Sequence, residues 1–175
     1  MRFSLCLAFA LLTAGSPARD AASTTVFDLQ DGDTLVFLGD SITHQCLYTQ
    51  YVEDFFFTRY PDRKIHFHNA GVSGDKAGDA LRRFDDDVAA FNPKYVTLLL
   101  GMNDGQYQDF DRGIVEAYRR DMGQLLDKIQ AAGAATVVFT PTNFDHHQLA
   151  LRMQDSSFRF KDRSFAPEYN AMLGF

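Results

Sequence analysis

Residues 37–46, FLGDSITHQC, set Asp40, Ser41 and Thr43 directly behind an apolar run, where a strand should end and a helix begin. A serine there has two roles open to it. It caps the coming helix, for which serine is a preferred residue, or it is a nucleophile. The second role needs a base for the hydroxyl and donors for the oxyanion that develops when an ester carbonyl is attacked. Two other segments offer such donors. In residues 69–75, NAGVSGD, Gly71 can bring its N–H close because it has no side chain. In residues 101–104, GMND, Asn103 offers a side-chain amide. Asp40 and Asp104 flank the serine and the amide, and either tunes the site electrostatically or holds its turn by bonding nearby N–H groups. Asp40 is read as a turn residue, and Asp104 is left open.

The chain must bring these three segments together. Residues 34–39 (TLVFLG) form a continuous apolar run bounded by glycine, suited to a strand buried on both faces. Tyr48, Tyr51, Val52, Phe55 and Phe56 then predict a helix with one apolar stripe, ended by Pro61. Residues 64–71 (KIHFHNAG) predict a second strand. Ala77, Ala80, Leu81, Phe84, Val88 and Phe91 trace a second helix, closed before Pro93. Residues 94–101 (KYVTLLLG) make the third strand. Val115, Tyr118, Met122, Leu125, Leu126 and Ile129 make a third helix stopped at Gly133, and residues 135–140 (ATVVFT) make a fourth strand. Residues 144–163 read as a loop or irregular insertion, and a last helix starts near Pro167. Such alternation predicts an α/β domain with a parallel sheet between helical layers. In sheets of this kind ligands bind at the carboxyl ends of strands, where Ser41, Gly71 and Asn103 fall.

With 46% hydrophobic residues, 14% aromatic residues and 175 positions, the chain has material for one packed domain, read as residues 19–175. A net charge of −6 without clustered Lys and Arg argues against a nucleic-acid or anionic-membrane surface. Residues 1–18 read as an export signal: Arg2, an apolar stretch over residues 3–14, and small residues at 16 and 18. That stretch is short for a membrane span, so no stable insertion is expected after its removal. Cys46 is then the one mature cysteine, expected in the core and without a disulfide partner.

The three segments together resemble the GDSL, or SGNH, family of ester hydrolases, through GDSIT at 39–43, the glycine of NAGVSGD, and GMND at 101–104. The resemblance runs from about Val36 to about Pro141. It implies a flavodoxin-like five-stranded parallel sheet in three layers, of which four strands are found here. It further implies Ser41 as nucleophile, and an oxyanion hole of the Ser41 N–H, the Gly71 N–H and the Asn103 side chain. The implied reaction passes through an acyl-enzyme on a small acyl or acetyl ester, for instance of a carbohydrate, with lysophospholipid or other lipid esters as the alternative. No cofactor or metal is called for, the partner is a small-molecule ester, and the oligomeric state is left open.

The family's last block, Asp-x-x-His, which supplies the base and its orienting carboxylate, is not found. The nearest string, FDHHQ, has Asp145, His146 and His147 at the wrong spacing. Either the sequence is part of a longer protein, the favoured expectation, or another histidine serves. His44 is the in-chain rival, better read as lining the pocket. Without the base, the alternative reading is a non-catalytic binding module or an inactive fragment.

Other signals are read as structural. His66 and His68 share a strand face but lack a third metal ligand, and Asp85, Asp86 and Asp87 form a solvated helix face. Of Phe55, Phe56 and Phe57, at least one ring is expected outside the main core.

Overall fold

The computed structural model describes residues 27–152, 154, 155 and 157. The proposed export signal and the proposed helix after Pro167 lie outside them. The four anticipated strands form: β1 (Thr34–Gly39), β2 (His66–Gly71), β3 (Tyr95–Leu99) and β4 (Ala135–Val138). All pair in parallel in the order β2-β1-β3-β4. The chain moves from β1 to one neighbour and then crosses to the other side, so strand order reverses at β1. A crevice at the strands' carboxyl ends is expected beside that reversal. The register makes the ends level: Gly39 pairs with Gly71 on one side and with Leu99 on the other. The three loops therefore leave the sheet at one height.

Alternation along β1 divides the core in two. Val36 and Leu38 join Val96, Leu98, Ala80, Phe84, Leu125 and Ile129 on one face of the sheet. Leu35 and Phe37 join Leu29, Phe56, Ile65 and Tyr95 on the other. Successive strand side chains point to opposite faces, so one apolar run supplies both cores. The first face is covered by α3 (Ala77–Asp87) and α4 (Arg112–Ala131), and the second by α2 (Leu47–Arg59).

Several sequence expectations need correction. The stripe expected on α2 includes Tyr51 and Phe55, yet these are 78% and 55% exposed. The packed face is Tyr48, Val52 and Phe56, at four-residue spacing, because α2 is nearly as apolar on one side as the other and its sequence does not choose the side. Phe55 and Phe57 are the rings outside the core. A separate short helix, α1 (Ser41–His44), precedes α2, and Cys46 at φ 61° breaks the two apart. Cys46 is half-buried rather than in the core, with its thiol on the His44 carbonyl and near the Asn69 amide. The third helical stripe holds in α4, although Leu126 is exposed. At the end of α3, Val88 stays buried, whereas Phe91 belongs to a 3₁₀ turn, Ala89–Phe91, and stacks on His68 at 3.6 Å between ring centres. Inside the supposed irregular stretch lies α5 (His146–Arg152), started by Asp145, whose carboxylate accepts the Gln148 N–H at 2.9 Å. That carboxylate serves as a helix cap.

Phe84 is 1% exposed between sheet and helices, and replacing it by Ala should cost about 3–5 kcal/mol of stability. Tyr51→Ala should change stability by no more than about 0.5 kcal/mol. Urea titrations of the two variants check this assignment of buried and exposed faces.

Candidate active site

Asp40 follows β1 directly and is 1% exposed. One carboxylate oxygen accepts the Ile42 N–H at 2.9 Å, which starts α1 and leaves Ser41 as its first residue. The cap is thus Asp40, and Ser41 is spared that duty. The Ser41 side chain, half-buried, makes no hydrogen bond among the described residues. Burial, reinforced by the charge of Asp75, pushes the Asp40 carboxyl above its ordinary pKa.

Close backbone approach explains two glycines. A side chain on Gly39 would strike Thr43 and come within 2.8 Å of the Leu99 carbonyl. One on Gly71 would strike the His44 N–H and come within 2.7 Å of the Thr43 carbonyl carbon. α1 therefore lies directly on the ends of β1 and β2, which glycine alone permits.

Asn103 ties the site together. Its amide nitrogen donates to the Asp75 carbonyl at 3.0 Å and to the second Asp40 oxygen at 3.3 Å, while its oxygen accepts the Tyr107 hydroxyl at 3.1 Å. The Asp75 carbonyl can only accept, which fixes which end of the amide is nitrogen. Burial, then the Asp40 charge, raises the Tyr107 pKa, which keeps that donor protonated. The three loops meet here, as their positions at strand ends imply.

Gly71 does not fit the donor role expected of it. Its N–H is already given to Asn69 Oδ1 at 2.9 Å, and its carbonyl faces His44 Nδ1 at 3.1 Å. The sequence reading missed Gly74, three residues on in the loop after β2. At φ +89° it stands open to solvent, and its N–H makes no hydrogen bond among the described residues. Its neighbour Asp75 holds the Asn103 amide, so Gly74 lies beside that amide. The available signal was the Ser73-Gly74 pair, a common turn former.

His44 is exposed. Its Nδ1 donates to the Gly71 carbonyl, so the neutral ring carries its proton there. None of His44, His66, His68 and His147 is bonded to Ser41, and the described residues hold no group of three or more potential metal ligands.

Asp104 lies behind the site, 7% exposed. One oxygen accepts the Ala77 N–H at the start of α3, at 2.8 Å, and the other has no hydrogen-bond partner among the described residues. Burial raises its pKa to about 6. A cavity of about 250 Å³ between α3 and α4 reaches Asp104, Lys76 and Gln106, but Ser41 and Asn103 do not line it. The same carboxyl, with burial the larger cause, helps push Tyr118 up to about 12, and the Tyr118 hydroxyl donates to the Leu100 carbonyl.

A raised carboxyl pKa means that folding favours the protonated form. The associated stability is fully present below the ordinary value of 3.8 and is lost as pH rises through about 6. In Asp104→Asn, the stability change between about pH 4 and pH 8 should shrink by on the order of 2–3 kcal/mol. Denaturant titrations at both pH values read this.

Known proteins share this fold. A family model described as the GDSL-like Lipase/Acylhydrolase family matches residues 37–173. A curated acetylxylan esterase from Geobacillus stearothermophilus is 33% identical over 89 residues, covering 42% of this chain and 40% of that protein. Among solved structures, a catalytic mutant of Axe2, an acetylxylan esterase of the same organism, is 26% identical with a TM-score of 0.58, over 65% of this chain and 61% of that one. BT4096, described as a gut microbial diltiazem-metabolizing enzyme, gives a TM-score of 0.67 at 24% identity, over 85% of this chain and 34% of that one. This likeness speaks to the fold. The chain thus spans 40% of the curated relative it matches.

Proposed function

This chain belongs to the GDSL-like lipase/acylhydrolase family, and we propose on that premise that it acts as a serine ester hydrolase with Ser41 as nucleophile. The carrying observation is the convergence of three strand-end loops on Asn103: Asp40, the residue before Ser41, and Asp75, the residue after Gly74, both accept from its amide. Ser41 Oγ attacks the ester carbonyl, its proton passes to a base, and the tetrahedral oxyanion forms. Collapse expels the alcohol, which takes the proton back from the base. Water then repeats the sequence on the acyl-serine and releases the acid.

The oxyanion is held by the Ser41 N–H and the Asn103 amide, which trades its longer, 3.3 Å bond to Asp40 for the developing charge. The third donor is the unengaged Gly74 N–H. Gly71 keeps its bond to Asn69 and serves as the bed for α1. A histidine as base is supported by the relative, where a histidine-to-alanine change defines a catalytic mutant.

The substrate class is a small acyl or acetyl ester, carbohydrate acetates included, a choice supported by the acetylxylan esterase relative. Residues 1–18 direct the protein to export, and no described helix is long and apolar enough to cross a membrane.

In the full-length protein, Ser41→Ala should lower turnover of p-nitrophenyl acetate by ~10⁴–10⁶ and abolish fluorophosphonate labelling. Labelling at the wild-type rate would overturn the assignment. Asn103→Ala should lower kcat by ~10²–10³, whereas an unchanged kcat would remove the amide from the oxyanion site. A non-catalytic binding module would hydrolyse no ester in any form.

A further inference from the structure

Arg83 lies on α3, outside every segment that suggested chemistry, and its side chain is 18% exposed. Its guanidinium points three donors in three directions. Nε donates to Asp75 Oδ2 at 2.7 Å, Nη1 to Asp87 Oδ2 at 3.0 Å, and Nη2 to the Gly39 carbonyl at 3.3 Å. Gly39 ends β1, two residues before Ser41. Asp75 follows Gly74 and offers its carbonyl to Asn103. One cation thus touches the nucleophile's strand directly, and through Asp75 it reaches both remaining loops.

We propose that Arg83 is the positioning residue that sets the spacing between Ser41 and the oxyanion donors, an inference that rests on the Ser41 reading above. Two observations carry it. The Gly39 carbonyl accepts two donors, Arg83 Nη2 and the Val72 N–H at 3.1 Å, so β1 and the loop after β2 are pinned at the same atom. In addition, Asp75, buried with an 11% exposed side chain, would otherwise stand as an uncompensated charge facing the buried Asp40. Arg83 supplies the counter-charge and keeps the loop from being repelled away from the end of β1.

Only arginine fits the task. A planar fork can bond two carboxylates and a carbonyl at once, whereas a lysine ammonium is a single point on a flexible stem. Asp87, 42% exposed on its side chain, anchors the outer edge of the fork.

The predicted signature is a change in kcat without a change in KM, because Arg83 bonds the site's framework and not the substrate. Displacing reacting groups by about 1 Å costs on the order of 10²-fold in rate. In the full-length protein, Arg83→Lys should lower kcat on p-nitrophenyl acetate by roughly 10- to 100-fold while KM stays within about twofold. Rates are taken per folded molecule, from urea titrations on the same samples. Arg83→Ala should fall further and regain kcat on addition of guanidinium well below denaturing concentrations, but not of ammonium.

A folded Arg83→Lys with the wild-type kcat, or equal rescue by both cations, overturns the inference. Ser41→Ala, assayed alongside, separates the two readings. If it is inactive while Arg83→Lys retains the wild-type kcat, the Arg83 inference falls alone. If Ser41→Ala remains active, both fall.

Discussion

The amide of Asn103 is the point on which the site's arrangement depends. Three loops leave the carboxyl edge of a parallel sheet, and loops at a sheet edge have no ladder to hold them. Here one planar side chain replaces the ladder. It donates to the loop after β2 and to the aspartate after β1, and it is oriented by Tyr107 of its own loop. An amide can do this because it presents donors and acceptor at fixed angles in one plane. The same nitrogen that ties the loops is the one proposed to meet an oxyanion, so the architecture of the site and its proposed chemistry share an atom.

This tie works only because the strand ends are level and the backbones close. Gly39, Gly71 and Leu99 pair across the sheet, and α1 rests on two of them without side chains between. A methyl group at Gly71 would push on the His44 N–H and lift α1, and Ser41 with it, away from Asn103. The placement of Ser41, the proposed nucleophile, is therefore a packing property of Gly39 and Gly71.

Electrostatics runs against the arrangement and is contained by it. Asp40, Asp75 and Asp104 are all buried near one another's loops, and burial alone disfavours a carboxylate charge. Each is held by a different device. Asp40 accepts from the backbone of α1 and from Asn103, Asp75 has the guanidinium of Arg83, and Asp104 accepts from the first turn of α3. Asp104 is the least compensated, with one oxygen unpartnered among the described residues, which agrees with the raised pKa.

The amino-acid sequence by itself determined the element order, because apolar runs, their period and their bounding glycines and prolines are local signals. β1 begins and ends where its six-residue run does, and Ser41 and Asn103 could be placed at strand ends from spacing alone. Other features depended on contacts between distant segments. α2 carries apolar residues around its circumference, so only the sheet beneath it selected Tyr48, Val52 and Phe56 as the packed side. Cys46 separates α1 from α2 by a left-handed turn that its residue type does not announce. Gly71 and Gly74 look alike in one segment of sequence, yet Asn69 occupies the first N–H and leaves the second open. Arg83 carries no signal in the sequence, and its role depends on the fold laying the end of β1 and the loop of Asp75 against it. The physical reason is range: periodicity and turn chemistry act between near neighbours in the chain, whereas a hydrogen-bond partner is assigned by strand register and loop torsions, which only the folded molecule has.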